Sequence, residues 1–283
     1  MSSIQLIADA GATKTQWCVV GLPKKKTVYT KGISPYFLGV NEIVSLIDQE
    51  LKPSLKNVQI DAIHYYGTGC IEPTKAKIVK TALTTSFGVK NINVTHDIEG
   101  SAKALFGDGK GIASILGTGS SSCFYNGKKI SKVIPGLGYI LGDEGSGAYL
   151  GRKVVQYYLY KTFDADLMAA FEEKFEETKT SILQKVYKEP LANRYLASFT
   201  HFLAENRGHY MIENIIEDGL NDFFFTSLCK FNEAWKYPIG FTGGVAFGFK
   251  DVLKDLCYAL PSGVLLLLCA YFLPKRSSET VSL

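Results

Sequence analysis

Cysteine is sparse and never paired in the sequence. The 283-residue chain has Cys18, Cys70, Cys123, Cys229, Cys257 and Cys269, with no C-x-x-C motif and no zinc-like spacing. Several lie inside apolar runs, where Cys acts as a small hydrophobe, so a disulfide framework is not expected. An excess of one charge is also missing. The formal net charge is +4, and no Lys/Arg stripe carries interleaved aromatics, so no nucleic-acid partner is expected. Lys24-Lys25-Lys26 follows Pro23 and reads as a solvated turn. A membrane partner is not expected either. The strongly apolar residues 264–273 fall short of the roughly 20 that cross a bilayer as a helix, and read as a buried terminal helix or strand. With no signal-peptide pattern, a cytoplasmic location is the simplest expectation. Two signatures are absent as well. Without G-x-x-x-x-G-K-[ST] there is no P-loop, and without G-x-S-x-G there is no hydrolase elbow.

What is present alternates. The length suits two domains, expected over 1–109 and 110–283. Residues 4–8 and 17–20 are apolar and predict strands around a tight polar turn. In that turn Gly11 admits close approach to the backbone. The N–H groups there, with the Thr13 and Thr15 hydroxyls and the Lys14 ammonium, suit phosphate oxygens. Asp9, an acceptor-only group at a strand end, suits hydrated Mg2+. An ordinary hairpin with a polar tip fits these residues equally well. Further strands are expected over 27–31, 60–66 and 91–95. The strand over 60–66 runs into Gly67-Thr68-Gly69. Helices are expected from an Asn41 cap through Leu51, from Pro73 to Phe87 before Gly88, and from Asp97 to Phe106. Strands alternating with helices give an α/β class.

The order restarts at Gly111. A strand over 112–116, a small-residue turn over 117–122, a return strand over 123–125, an Asn126-Gly127 turn and a strand over 128–133 repeat the opening residues. One Gly/Thr hairpin is a weak signal. Two in equivalent places of two α/β halves are a stronger one, and they predict hairpins facing each other across a cleft. A glycine-rich stretch, Gly136-Leu137-Gly138 and Gly142-Asp143-Glu144-Gly145-Ser146, follows. Helical periodicity over 163–175, 181–187, 191–203 and 210–228 then predicts an insertion. A strand over 237–241, the turn Thr242-Gly243-Gly244-Val245 and a helix over 246–259 come next. The Gly-Gly turn allows a flat ligand such as a purine to come close.

In that order, the chain resembles the actin/Hsp70/sugar-kinase superfamily, and within it the BadF/BadG/BcrA/BcrD ATPase family with its N-acetylglucosamine kinase-like members. The resemblance spans 4 to about 259. It implies two ribonuclease H-like domains with a central cleft and a helical insertion in the second. It also implies ATP and Mg2+ as cofactors and a small-molecule sugar as substrate, and it leaves room for a homodimer. By the family's motifs, Gly11, Thr13, Lys14 and Thr15 with Gly117, Thr118, Gly119 and Ser120 would contact phosphates. Gly243 and Gly244 would lie along the adenosine, and Asp9 would hold the metal. Asp97, in Asp97-Ile98-Glu99-Gly100, would accept the proton of the attacking hydroxyl. Gly67, Gly69, Thr118, Gly138 and Asp143 would meet the sugar. Read without the other motifs, Asp97 is a helix cap at a strand end. Three departures from the family pattern stand out. Leu137 replaces a Trp usual in sugar-kinase relatives, and Ser34-Pro35 stands where they present Asn. Residues 260–283 lack the family's amphipathic last helix. The resemblance also admits an ATPase that energises a partner through a thiolate-held iron–sulfur cluster, for which Cys123 is the one cysteine near a hairpin. A sugar sensor without turnover is admitted too.

Overall fold

Alternate apolar side chains define the first sheet. The computed structural model describes residues 3–11, 13–56, 58–258 and, as backbone only, 266–269. They divide into two units, one carrying the residues up to Gly100 and the other those from Ser101 onward. In the first unit, β1 (Gln5–Ala10) buries Leu6, Ala8 and Ala10 on one face, as a period of two requires. It continues into an antiparallel meander with β2 (Lys14–Val20) and β3 (Lys26–Lys31). On its other side β1 pairs in parallel with β4 (Ala62–Gly67), and β4 with β5 (Asn91–His96). The strand order is β3-β2-β1-β4-β5. Trp17, Ile63, Tyr65 and Ile92 share one core with Ile43, Ile47 and Leu51 and with Val79, Ala82 and Leu83.

Helix α1 (Val40–Leu46) starts earlier than an Asn41 cap would have it. Gly39 is the cap, and its N–H donates to the Glu42 carboxylate at 2.9 Å. Beyond Leu46 the turns widen over Ile47–Leu51 and tighten over Lys52–Leu55, because Pro53 has no N–H to continue an α-helix. The apolar face expected through Leu51 is kept all the same. Helix α2 (Pro73–Phe87) ends as expected, with Gly88 at φ 68° donating to the Thr84 carbonyl. Helix α3 (Asp97–Phe106) leaves the end of β5 directly.

The second unit repeats the topology. Strands β6 (Gly111–Leu116), β7 (Ser120–Tyr125) and β8 (Ile130–Ile134) form the meander. Strand β9 (Ile239–Thr242) joins β6 in parallel and β10 (Leu266–Cys269) joins β9, giving the order β10-β9-β6-β7-β8. The Asn126-Gly127 turn forms as expected. Asn126 Oδ1 accepts the N–H groups of Lys128 and Lys129 at 3.0 Å, with Gly127 at φ 89°. The turn expected over 117–122 is shorter, since β7 begins at Ser120. Ser122 can be buried in the strand because it bonds to Ser114 (3.0 Å) and Ser227 (2.9 Å).

Between β8 and β9 lie α4 (Gly138–Leu141), α5 (Gly147–Leu159), α6 (Ala165–Phe175), α7 (Lys179–Tyr187), α8 (Ala192–Ser198), α9 (Thr200–Glu205) and α10 (Tyr210–Thr226). Phe171, Phe199, Phe202 and Phe223 pack within the same core as Ile112, Leu116 and Phe241 of the sheet. The helix expected over 246–259 is two helices, α11 (Gly244–Gly248) and α12 (Lys250–Tyr258). They break at buried Phe249, which leaves helical geometry (φ −120°, ψ 36°). The apolar run at 264–273 supplies strand β10. The rest of that run and of the tail from 260 lies outside the described residues. Among the described residues no helix is long and apolar enough to cross a membrane.

Candidate active site

In the first unit, the β1–β2 hairpin is closed by the Gly11 N–H donating to the Lys14 carbonyl at 3.0 Å. The Thr68 N–H donates to Ala10 at 3.0 Å and ties the turn after β4, with Gly67 and Gly69, to the end of β1. Register sets Asp9 between Gln16 on β2 and Tyr66 on β4. Gly67 at the end of β4 faces His96 at the end of β5, and Asp97 follows as the first residue of α3. Thr13 and Lys14 are exposed at the tip, and the Lys14 ammonium lies 4.7 Å from the Tyr29 ring centre. Thr15 pairs with Ala10 on the face opposite Asp9 and is wholly buried. The strand period thus puts the first and last residues of the motif on opposite faces of the sheet.

Asp9 and Asp97 are electrostatic neighbours. Burial and then the Asp97 charge push the Asp9 carboxyl up to about 8, with Lys14 partly offsetting them. Asp97 Oδ1 accepts the Ile98 N–H at 2.8 Å and lies 3.0 Å from His96 Nδ1. Burial alone would lower the His96 pKa, but its hydrogen bond to Asp97, with the charges of Asp97 and Glu99, raises it. Two neutral acids stand nearby. Burial and then the Asp97 charge lift the Cys70 thiol to about 12. Burial, with the charges at Cys70, Asp97 and Asp9, lifts Tyr65 well above a phenol's usual value. The result is a half-buried carboxylate at the head of a helix, held at one oxygen, with a second carboxylate close by. That is the equipment of a general base beside a cation site.

In the second unit, the hairpin at Gly117, Thr118 and Gly119 is braced from behind. Its carbonyls at Gly117 and Thr118 accept the N–H groups of Gly147 (2.7 Å) and Ala148 (3.1 Å) at the start of α5. Ser146 caps the same helix through the Tyr149 N–H at 3.2 Å. Asp143, at φ 57°, accepts the Gly138 N–H at 3.0 Å and a further backbone bond from Ser120. Burial raises its pKa, against the pull of these bonds. Its carboxylate therefore fastens the Gly138 loop to the hairpin. Thr242 Oγ1 bonds to Ser101 Oγ of α3 at 2.9 Å in a buried pair.

Two kinds of glycine occur here. Gly243 sits at φ 107°, and a Cβ there would meet the Leu116 carbonyl at 2.3 Å, so the fold itself demands glycine. Gly117 and Gly244 have neither a positive φ nor any atom within 4 Å of a Cβ. Packing does not require glycine at these two places. The bare backbone they leave is what close approach of phosphate and adenosine would use.

Gln16 and Thr95 carried no motif signal. They join Asp9 only through register, with Gln16 opposite Asp9 and Thr95 opposite Tyr66. Counting cross-strand partners outward from the hairpin would have found Gln16. Cys123 is fully buried in β7, a poor position for a ligand to a cluster shared between subunits. Among the described residues no group of three or more His, Cys, Asp and Glu could hold a metal by itself.

No family model matches the chain. Among curated proteins, it is 25% identical over 242 residues to an N-acetylmuramic acid/N-acetylglucosamine kinase of Clostridium acetobutylicum, covering 77% of this chain and 76% of that one. Among solved structures, a protein of Porphyromonas gingivalis assigned as an N-acetylglucosamine kinase is 35% identical. It superposes with a TM-score of 0.90 over 94% of this chain and 95% of that one. A ROK family glucokinase of Streptomyces griseus, solved with glucose and AMPPNP, shares the fold at a TM-score of 0.57 and 14% identity, covering 94% of each chain.

Proposed function

The chain belongs to the N-acetylglucosamine kinase family of actin-like sugar kinases, and from that premise we propose that it transfers the γ-phosphoryl group of ATP to a hydroxyl of N-acetylglucosamine or a closely related amino sugar. The observation that carries the reading is that Asp9, near the end of β1, feels the charge of Asp97, just after β5, in a chain 35% identical to its relative over nearly its whole length. Phosphoryl transfer asks mainly for positioning and charge stabilisation. Asp97 supplies the first. With Oδ1 held by Ile98 and His96, its other oxygen orients the sugar hydroxyl and takes its proton as the bond to phosphorus forms. Gly67, Gly69, Thr118 and Gly138 line the sugar with backbone and hydroxyl groups. Asp143 acts on the sugar through the loop it fastens.

The nucleotide reading uses both hairpins. Gly11, Thr13 and Lys14 in the first unit, and Gly117, Thr118, Gly119 and Ser120 in the second, offer N–H groups, hydroxyls and an ammonium to phosphate oxygens. Thr15 supports the first hairpin from its buried face. Gly243 and Gly244 leave flat backbone for the adenosine. The residues fit Mg2+, because Asp9, ionised by a bound cation, is acceptor-only, feels the charge of a second carboxylate, and Mg2+ keeps most of its waters rather than needing a protein cage. When bound, Mg2+ neutralises charge on the phosphates.

A coupled assay of ADP release across hexoses and amino sugars tests the proposal. N-acetylglucosamine is expected to stimulate turnover, and Asp97→Asn to lower it by roughly 100- to 10,000-fold with sugar binding kept in calorimetry. If no sugar stimulates ADP release from folded protein that still binds ATP, the reading fails. If Asp97→Asn phosphorylates near the wild-type rate, Asp97 is not the base.

A further inference from the structure

One face of the first sheet carries a transverse row of polar side chains that the kinase motifs do not explain. Gln16 on β2 stands opposite Asp9 on β1, Asp9 beside Tyr66 on β4, and Tyr66 beside Thr95 on β5. Directly paired side chains on one face lie within contact range of each other. Gln16 is only 6% exposed. Its Oε1 has no hydrogen-bond partner, and neither does the Thr95 Oγ1, although both atoms are closed off from solvent. Orphaned buried polar atoms are rare in folded proteins and call for an explanation.

The chemistry of the row narrows what could satisfy them. Once ionised, as with a cation bound, the Asp9 carboxylate only accepts, as do the Asp97 carboxylate and the Gln16 carbonyl, while the Thr95 hydroxyl can do either. Lys14, two residues along β2 from Gln16, lies over the Tyr29 ring. The face is rich in acceptors: Gln16 sits directly beside Asp9, and Thr95 lies on its other side beyond Tyr66. Water bound to a divalent cation turns its protons outward and is a strong donor, so it satisfies several acceptors grouped around one carboxylate. We infer that Gln16, together with Thr95, accepts hydrogen bonds from the water shell of the divalent cation held by Asp9, which makes Gln16 a positioning residue for that cation. The inference rests on the assignment of Asp9 as the cation's protein ligand.

Mn2+ binding to the full-length protein in the presence of ADP, followed by water-proton relaxation and electron paramagnetic resonance, separates the outcomes. Gln16→Leu is expected to weaken Mn2+ binding by roughly tenfold or more, the scale of lost outer-sphere partners. Its melting temperature should not fall, since an orphaned acceptor is replaced by an apolar side chain of similar size. Gln16→Glu keeps the acceptor and should restore Mn2+ binding. If Gln16→Leu binds Mn2+ like wild type while Asp9→Asn does not, the role of Gln16 is overturned and that of Asp9 stands. If Gln16→Glu binds as poorly as Gln16→Leu, shape rather than hydrogen bonding matters, and the inference is overturned. If Asp9→Asn binds Mn2+ as tightly as wild type, the assignment of Asp9 fails and the inference falls with it.

Discussion

Asp9 is a carboxyl buried beside a second carboxylate, and its titration should show it. The Asp9 carboxyl is raised from 3.8 to about 8 in the folded chain. A carboxyl raised on folding contributes fully below its unfolded pKa, and the contribution is lost as pH rises through the folded value. Without divalent cations the protein should therefore lose stability between pH 3.8 and about 8. Asp9→Asn removes that titration. In EDTA it should melt several degrees above wild type at pH 8, and the gap should close toward pH 4, as thermal melts across that range would show. His96 follows the same sign for a different reason. Its raised pKa comes from the Asp97 partner, which outweighs burial, so the pair stabilises the fold below the ordinary imidazole value and fades as pH rises past the folded one. His96→Gln should lower the melting temperature at pH 5.5 and have little effect at pH 9. Asp9 and Asp97 were legible from sequence because each ends an apolar strand and opens a polar motif. Gln16 was not, since only the strand register makes it a neighbour of Asp9.

The two glycine classes at the turns proposed to meet the nucleotide separate fold from ligand. Gly243→Ala puts a Cβ against the Leu116 carbonyl at a left-handed φ and should cost roughly 1–3 kcal/mol, read by urea denaturation. Gly117→Ala meets no atom and no backbone strain, so stability should stay within about 1 kcal/mol of wild type or rise slightly. Its ADP affinity should nonetheless fall in a calorimetric titration, because the methyl would occupy the space left for a phosphate. Element type was readable where period and punctuation agreed. Helix α2 has Pro73 and Gly88 at its ends, and the Asn126-Gly127 turn has the side chain that makes it. It was not readable where a residue's conformation depends on a distant partner. Ser120–Ser122 look like turn residues until Ser114 and Ser227 provide hydroxyl partners. The apolar run near 266 has no period that tells a strand from a helix, and pairing with β9 decides it.

The whole chain is one sheet plan used twice, since the order β3-β2-β1-β4-β5 and the order β10-β9-β6-β7-β8 map strand onto strand. Sequence showed the repeat through the two meanders, where hairpin turns punctuate it. The repeat of the two parallel strands was obscured by the helices between β8 and β9. Deleting residues beyond Tyr258 removes β10 and leaves β9 as an open edge, so the shortened protein should elute as aggregate in size-exclusion chromatography. The same arrangement has a consequence in time. The first sheet takes all its strands from residues 5–96, whereas the second collects its own from 111 to 269. On the ribosome the first can close early, while the second waits for its last strand with helices α4 to α12 already made. Assembly of the second sheet, with its longer-range strand pairing, is therefore expected to be the slower step of this protein's folding.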